Sequence, residues 1–327
     1  MKKKLFAVTL SACMALSLAA CGGSSEETTA AAETTAAADS AEESTEAESA
    51  EESEAAEDGS EEAAEGEASA VDLSAVKTVS EGTLTVATSP DFAPYEFYAI
   101  GEDGTPTLAG FDMALAQYIA DYMGLDLEII TVDFDGVLTE LQTKSVDLGM
   151  AGLSPDPKRE SIMDFSDIYY LGGQSLVTTK DNADVYNSTE AINNPDVTVG
   201  AQTGSIQLDL ANTNSPDADI ISLPKVTDII TELLTGKMDA AYIETDVAKS
   251  YQKNYPDLEI VADVPYDQAG SAIGVCKDNP ELLAAVNEAI AAAQEDGSLE
   301  DFIAEANEVA SGQTYEGLLD SEGNIQE

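Results

Sequence analysis

Residues 83–88 read Thr-Leu-Thr-Val-Ala-Thr, and residues 111–124 read Phe-Asp-Met-Ala-Leu-Ala-Gln-Tyr-Ile-Ala-Asp-Tyr-Met-Gly. The first is a short β-rich run carrying Leu84 and Val86. The second places Phe111, Leu115, Tyr118, Ile119 and Tyr122 at helical spacing around Asp112, a residue suited to an N-cap, and Gly124 ends it. The next strand is expected over residues 127–132, a helix on Val137, Leu138 and Leu141, and a further strand over 146–151. The alternation then resumes. Residues 197–200 read as a strand, 205–211 as a helix, and Val226, Ile229, Ile230, Leu233 and Leu234 form one helical stripe. Residues 239–243 and 271–276 read as strands, and Leu282, Leu283, Val286 and Ile290 line a long helix. Strand and helix in turn predict α/β layers with largely parallel sheets. About 250 residues from Val71 onward have a globular composition, enough for two lobes with a core in each.

Upstream of this region the chain changes character. Lys2, Lys3 and Lys4 precede an almost unbroken apolar run over residues 5–20, the pattern of a secretory signal. The run closes on Leu18-Ala19-Ala20-Cys21, followed by Gly22-Gly23-Ser24, which resembles the lipobox of bacterial lipoproteins. Residues 1–20 are therefore expected to be a removed signal peptide, with Cys21 lipidated. No other segment approaches the ~20 apolar residues of a membrane-spanning helix. The mature protein is expected outside the cytoplasmic membrane, held by its lipid anchor. From Ser24 to about Ala70 the chain is Ala, Glu, Ser and Thr without lysine, arginine, aromatic or large aliphatic side chains. Such a segment buries too little apolar surface to offset its ordering entropy, so residues 21–74 are read as a lipidated, disordered tether. As a coil of ~50 residues it reaches about 40 Å.

Composition excludes several chemistries. The chain has no histidine, so zinc sites of the His/Cys kind and histidine acid–base catalysis are absent. Of three cysteines, Cys13 leaves with the signal and Cys21 carries the anchor, leaving Cys276 without a disulfide partner. A formal net charge of −51 argues against nucleic acid and anionic lipid as partners. No metal and no cofactor is expected, and the protein is read as a monomer.

Several motifs occur in a defined order: Thr83-Leu84-Thr85-Val86-Ala87-Thr88, Phe92-Ala93-Pro94-Tyr95-Glu96-Phe97, Gly110-Phe111-Asp112, and Leu141-Gln142-Thr143-Lys144-Ser145-Val146-Asp147. Ala151-Gly152-Leu153-Ser154, Lys158-Arg159 and Asp164-Phe165-Ser166-Asp167 follow. Gly200-Ala201-Gln202-Thr203-Gly204-Ser205 and Asp239-Ala240-Ala241-Tyr242-Ile243-Glu244 complete the set. The ordered set resembles the bacterial extracellular solute-binding proteins of family 3, the amino-acid receptors of ABC importers. The resemblance implies a two-lobed α/β fold of the periplasmic-binding-protein, venus-flytrap type, whose lobes close around ligand by hinge motion. It implies a first lobe of residues 75–170 plus 271–327 and a second of 171–270. The crossings would fall near Tyr170 to Gly173, whose paired glycines suit a hinge, and near Gln268 to Gly270.

The resemblance also assigns site residues. Arg159, the only arginine in the chain, would take the ligand carboxylate with its planar fork. Taken alone, an arginine in so acidic a chain would pair with a surface carboxylate. Ser154 and the backbone of Gly152 would complete the carboxylate cradle. Ser205, where a helix of the second lobe begins, would add the partial positive charge of its N-terminus, or simply cap it. Glu244 stands where the family places an acid for the α-ammonium, with Asp246 as the fallback. Phe92 and Phe134 would flank the aliphatic part of the ligand, although phenylalanines at such spacing are commonly core. Ser89 replaces the aspartate that many members direct at the ligand side chain, which favours a polar uncharged ligand.

The implied function is capture of a free L-α-amino acid and its delivery to the permease of an ABC transporter, without catalysis. A cyclohexadienyl or arogenate dehydratase is the alternative from another class, because the same fold hosts such an enzyme. A free-standing amino-acid sensor is the third reading.

Overall fold

The computed structural model describes residues 71–101, 104–267 and 270–311. The signal segment, Cys21 and the tether up to residue 70 lie outside the described residues, as do Gln268 and Ala269 of the expected second crossing.

The first lobe begins with β1 (Thr83–Thr88), β2 (Asp91–Phe92), β3 (Glu96–Ile100) and β4 (Pro106–Ala109). α1 (Phe111–Met123), β5 (Asp126–Thr131), α2 (Phe134–Gln142), β6 (Leu148–Gly149) and β7 (Met163–Phe165) follow. The second lobe holds β8 (Gln174–Thr179), α3 (Thr189–Ile192), β9 (Thr198–Gln202), α4 (Ile206–Asn214) and β10 (Asp219–Leu223). It continues through α5 (Val226–Leu234), β11 (Ala240–Glu244), α6 (Thr245–Asn254) and β12 (Leu258–Asp263). The chain then returns to the first sheet as β13 (Gly274–Cys276) and closes with α7 (Pro280–Glu295) and α8 (Ser298–Ala310).

Each lobe is a five-stranded sheet, ordered β5-β1-β6-β13-β7 in the first and β10-β9-β11-β8-β12 in the second; β2, β3 and β4 form a small third sheet. The expected parallel core is present: β1 runs parallel to β5 and β6, and β9 parallel to β10 and β11. The sheets are nonetheless mixed rather than largely parallel. β8 is antiparallel to both β11 and β12, and β13 is antiparallel to β6 and β7. β8 and β13 are the first strands entered after the chain changes sheet, and each runs antiparallel to both of its neighbours.

Alternation decides which face each strand residue meets. Leu84 and Val86 join the apolar cluster beneath α1 and α7, whereas Ala87 joins the cluster around Phe134, Val137 and Leu141 of α2. In β11, Ala241 and Ile243 pack with α5 and α6, while Ala240 and Tyr242 face the cluster on the other side. α1 departs from expectation at its start. Gly110 is the N-cap, and Asp112, one turn position inside, is fully buried with partners from distant segments. The strand expected over 146–151 contracts to Leu148–Gly149, because residues 150–154 turn away into the loop that carries Ser154.

Two segments join the sheets, and they lie against each other. Ser271 N–H donates to the Tyr170 carbonyl at 2.7 Å, and Tyr169 N–H to that of Ser271 at 3.0 Å. The Tyr266 hydroxyl donates to Gly172 O at 3.1 Å and accepts from Gly270 N at 3.2 Å, tying both segments together.

Asp147 anchors the edge of the first core. Its Oδ1 accepts Val79 N–H at 2.7 Å and its Oδ2 accepts Thr85 N–H at 2.8 Å and the Thr85 hydroxyl. Asp147→Ala would strand these donors, at a cost of at least ~3 kcal/mol. Thermal melting of the variant should fall by roughly 6–12 °C for a domain of this size; an unchanged melting temperature would show that Asp147 anchors nothing.

Candidate functional site

Arg159 ends a single 3-10 turn, Pro157–Arg159, whose preceding Asp156 accepts Lys158 N–H at 2.9 Å. The turn aims the guanidinium across the gap between the sheets. One nitrogen donates to Ser154 O at 3.3 Å in the first lobe, and another to Gly204 O at 3.0 Å in the second. The guanidinium carbon lies 5.6 Å from the centroid of Phe134, a cation–π arrangement. Only 8% of Arg159 is exposed, and among the described residues it forms no ion pair. Burial lowers its pKa from the ordinary arginine value, with Asp156 and Asp209 opposing, yet a guanidinium remains charged in proteins. A buried charge satisfied by carbonyl oxygens alone is a poor resting arrangement and a good receptor for an anion.

Other expected residues gather around it. Gly152 adopts φ +55°, and a Cβ there would lie 2.8 Å from Cε1 of Phe92, so only glycine lets the two segments approach this closely. Its N–H, expected in the carboxylate cradle, instead donates to Asp112 Oδ2 at 3.3 Å. Ser205 is the N-cap of α4: its Oγ accepts Leu208 N–H at 3.3 Å and donates to Gln202 O at 2.7 Å. The cap reading of Ser205 therefore holds in this structure. Ser89 donates to Asp91 Oδ1 at 2.9 Å.

Glu244 is held by backbone donors on both carboxylate oxygens. It ends β11 and caps α6, its Oε2 accepting Asp246 and Val247 N–H groups at 2.8 Å each and its Oε1 accepting Gly173 N–H at 3.2 Å. A Cβ on Gly172 would lie 2.4 Å from Glu244 Oε1 and 2.8 Å from the Tyr95 hydroxyl, which places the carboxylate at the crossing. Tyr95 in turn packs 5.4 Å from the Phe92 ring. Burial pushes the Glu244 carboxyl up to about 7; the Val247 N–H opposes this and the Asp246 charge adds to it. Asp246 is engaged by Tyr170 and Lys249, at 2.7 and 2.9 Å.

Three buried acids lie near the site, and the sequence offers Asp91 only as an acid able to swing toward a basic ligand side chain, Asp112 as a helix cap and Glu96 as part of a motif. Asp91 and Asp112 are each pushed to about 6, mainly by burial, and Glu96 is raised well above the usual range by burial and by its acidic neighbours Asp112 and Asp91. Asp112 Oδ1 accepts the Tyr169 hydroxyl at 2.7 Å, so this residue supports the Gly152 loop and not a helix end. The tight spacing of Tyr95-Glu96-Phe97, an acid between aromatics on a strand, was the available signal. A cleft of about 800 Å³ opens beside these residues, lined by Ser89, Asp91, Tyr98, Asp133, Asp135 and Lys225 among others. It adjoins the Ser89 end of the site and does not include Arg159.

Residues 84–305 match the bacterial extracellular solute-binding proteins, family 3. The chain belongs to this family. The arginine-binding extracellular protein ArtP of Bacillus subtilis (strain 168) is 34% identical over 221 residues, covering 66% of this chain and 83% of ArtP. Among solved structures, an amino acid ABC transporter substrate-binding protein, AbpA of Streptococcus pneumoniae, bound to L-arginine, is 35% identical with a TM-score of 0.67. That likeness covers 70% of this chain and 96% of AbpA. An ancestral amino-acid-binding protein described as a precursor of cyclohexadienyl dehydratase is 32% identical with a TM-score of 0.61, covering 68% of this chain and 95% of its own. The family member described here is thus an amino-acid-binding protein with the two-lobed periplasmic-binding-protein fold of ABC importer receptors.

The raised carboxyls set a pH dependence. Asp91, Asp112 and Glu244 all titrate above the ordinary 3.8 or 4.5, so between about pH 4 and 7 the folded protein holds protons that the unfolded chain has lost. Their contribution to stability is therefore present at low pH and declines as pH rises through that window, by up to about 3 kcal/mol for Glu244 alone. Thermal unfolding of the ligand-free protein should occur at higher temperature at pH 5 than at pH 7.5, and Glu244→Gln should flatten the difference. A melting temperature that rises with pH would contradict this.

Proposed function

We propose that this family member captures a free L-α-amino acid outside the cytoplasmic membrane and delivers it to the permease of an ABC importer. The observation that carries this reading is Arg159, a buried cation in the gap between the two sheets with two carbonyl oxygens for company. A ligand carboxylate in its place would supply the missing countercharge and bind both lobes at once. In this reading Ser154, Gly152 and Ser205 border the carboxylate, Phe92 and Phe134 flank the aliphatic stem, and Oε1 of Glu244 takes the α-ammonium. The lobes would be residues 75–170 plus 271–327 and 171–270.

The side-chain end is refined from the sequence reading. Ser89 alone favours a polar uncharged ligand. The cleft beside it adds Asp133 and Asp135 against the single cation Lys225, and two of the relatives named above are the arginine-binding ArtP and AbpA bound to L-arginine. A cationic side chain, arginine first, is therefore the leading ligand, with a polar uncharged one next. Thermal-shift screening against the amino acids tests this: a ligand at 100 times its dissociation constant adds about 2.7 kcal/mol of stability. Arg159→Ala should weaken binding by roughly two to four orders of magnitude, because it strands the ligand carboxylate. Calorimetry giving wild-type affinity would remove Arg159 from the site.

A second reading, a dehydratase-like enzyme, is favoured by one observation: Glu244 is a buried acid poised near neutrality, as a proton donor would be. Incubation with prephenate or arogenate, followed by assay for the aromatic product, decides between the two.

Anchoring belongs to the same proposal. With residues 1–20 removed and Cys21 lipidated, Cys21→Ser should release the protein from the membrane fraction. Retention at the wild-type level would overturn the lipoprotein reading.

A further inference from the structure

Outside the residues assigned to ligand, one residue gathers bonds from three elements of the opposite lobe, two of them through its side chain. Asp91 lies in β2 of the first lobe and is 6% exposed. Its Oδ2 accepts the N–H of Val226, the first residue of α5, and the amide of Gln202 at the end of β9, the latter at 3.3 Å. Its backbone carbonyl accepts the hydroxyl of Tyr251, from α6, at 3.0 Å. Ser89 Oγ holds the other carboxylate oxygen at 2.9 Å and so fixes the direction of the side chain.

The second lobe has a matching deficiency. The N-cap of α5 is Lys225, whose side chain makes no cap bond. The first turn of a helix leaves its N–H groups without partners and carries partial positive charge, so an acid placed there is stabilising. Here that acid comes from the other lobe. We propose that Asp91 is a closure latch: a first-lobe carboxylate that caps a second-lobe helix, so that closing the lobes makes hydrogen bonds in which the ligand takes no part.

The position in the chain couples this latch to the site. Asp91 directly precedes Phe92, whose ring touches the Gly152 loop. Among the described residues, the Arg159 bond to Gly204 O at 3.0 Å also crosses the lobes but belongs to the ligand site, and the ion pair of Lys158 with Asp209 at 2.6 Å is largely exposed and screened, so it contributes little to closure. Asp91 is therefore a positioning residue: it acts on the lifetime of the closed state and not on the ligand itself. The ligand arm of its test rests on the function proposed above, whereas the exchange arm reads the latch directly.

The experiment uses the full chain and the variants Asp91→Ala and Asp91→Asn, the second retaining an oxygen that accepts Val226 N–H. In the wild type, ligand should slow amide hydrogen exchange over residues 224–229, because closure protects the start of α5. That slowing should vanish in Asp91→Ala and return in Asp91→Asn. With L-arginine as probe, the dissociation rate of Asp91→Ala should rise roughly 3- to 30-fold, the effect of one helix cap, with the association rate little changed. Ligand-induced protection at 224–229 that survives Asp91→Ala, or a loss of affinity carried wholly by association, would overturn the latch. If L-arginine binds no form of the protein, the exchange of ligand-free wild type and Asp91→Ala over 224–229 still decides: faster exchange in the variant supports the bond, and equal exchange refutes it.

Discussion

Arg159 is the only arginine in a chain of formal net charge −51, and it is buried between two sheets without a carboxylate partner among the described residues. A protein with this many acids could pair a lone guanidinium with ease, and most surface arginines would find such a partner. Here the local chain prevents it. The Pro157–Arg159 turn and the Gly204 carbonyl hold the fork in a gap lined by Phe134 and by backbone oxygens. The remaining architecture follows from keeping that gap: two parallel-cored sheets, two crossing segments tied by Tyr266, and a helix start from the second lobe presented to the first. An anion entering the gap neutralises the charge and joins the lobes by the same contact.

Around this cation the protein keeps acids out of water and under tension. Glu244, Asp91, Asp112 and Glu96 are all buried and all raised above their ordinary titration range. Glu244, Asp91 and Asp112 are held mainly by backbone N–H groups and hydroxyls, whereas neither carboxylate oxygen of Glu96 has a hydrogen-bond donor among the described residues. The arrangement ties stability, closure and ligand charge to one another. An ammonium reaching Glu244, as the proposed function has it, would stabilise the ionised form, and binding near neutral pH would then release a proton from this carboxyl.

Much of this architecture was legible in the residues. Helical periodicity located α1, α5 and α7, and β-rich runs located β1, β5, β9 and β11. Arg159 stood out by its singularity. The antiparallel strands were harder. β8 reads Gln174-Ser175-Leu176-Val177-Thr178-Thr179, and its buried polar residues break the apolar pattern. They are tolerated because Ser175 bonds Thr245 and Thr178 bonds the Asp239 carbonyl, partners more than sixty residues away. Asp112 looked like a helix cap because its role depends on Tyr169 and Gly152, which no local spacing reveals. Asp91 was invisible as an interlobe residue for the same reason: Val226 lies 135 positions away. Local signals recover elements; long-range polar bonds, which here define the site, emerge only once the elements are placed.

The account turns on whether the buried guanidinium receives an α-carboxylate. Calorimetry of the wild-type protein with L-arginine and with agmatine, which differ only by that carboxylate, tests this most directly. Binding of arginine with agmatine at least ~100-fold weaker is the expected result, since the loss leaves the Arg159 charge unpaired. Agmatine bound as tightly as arginine would contradict it.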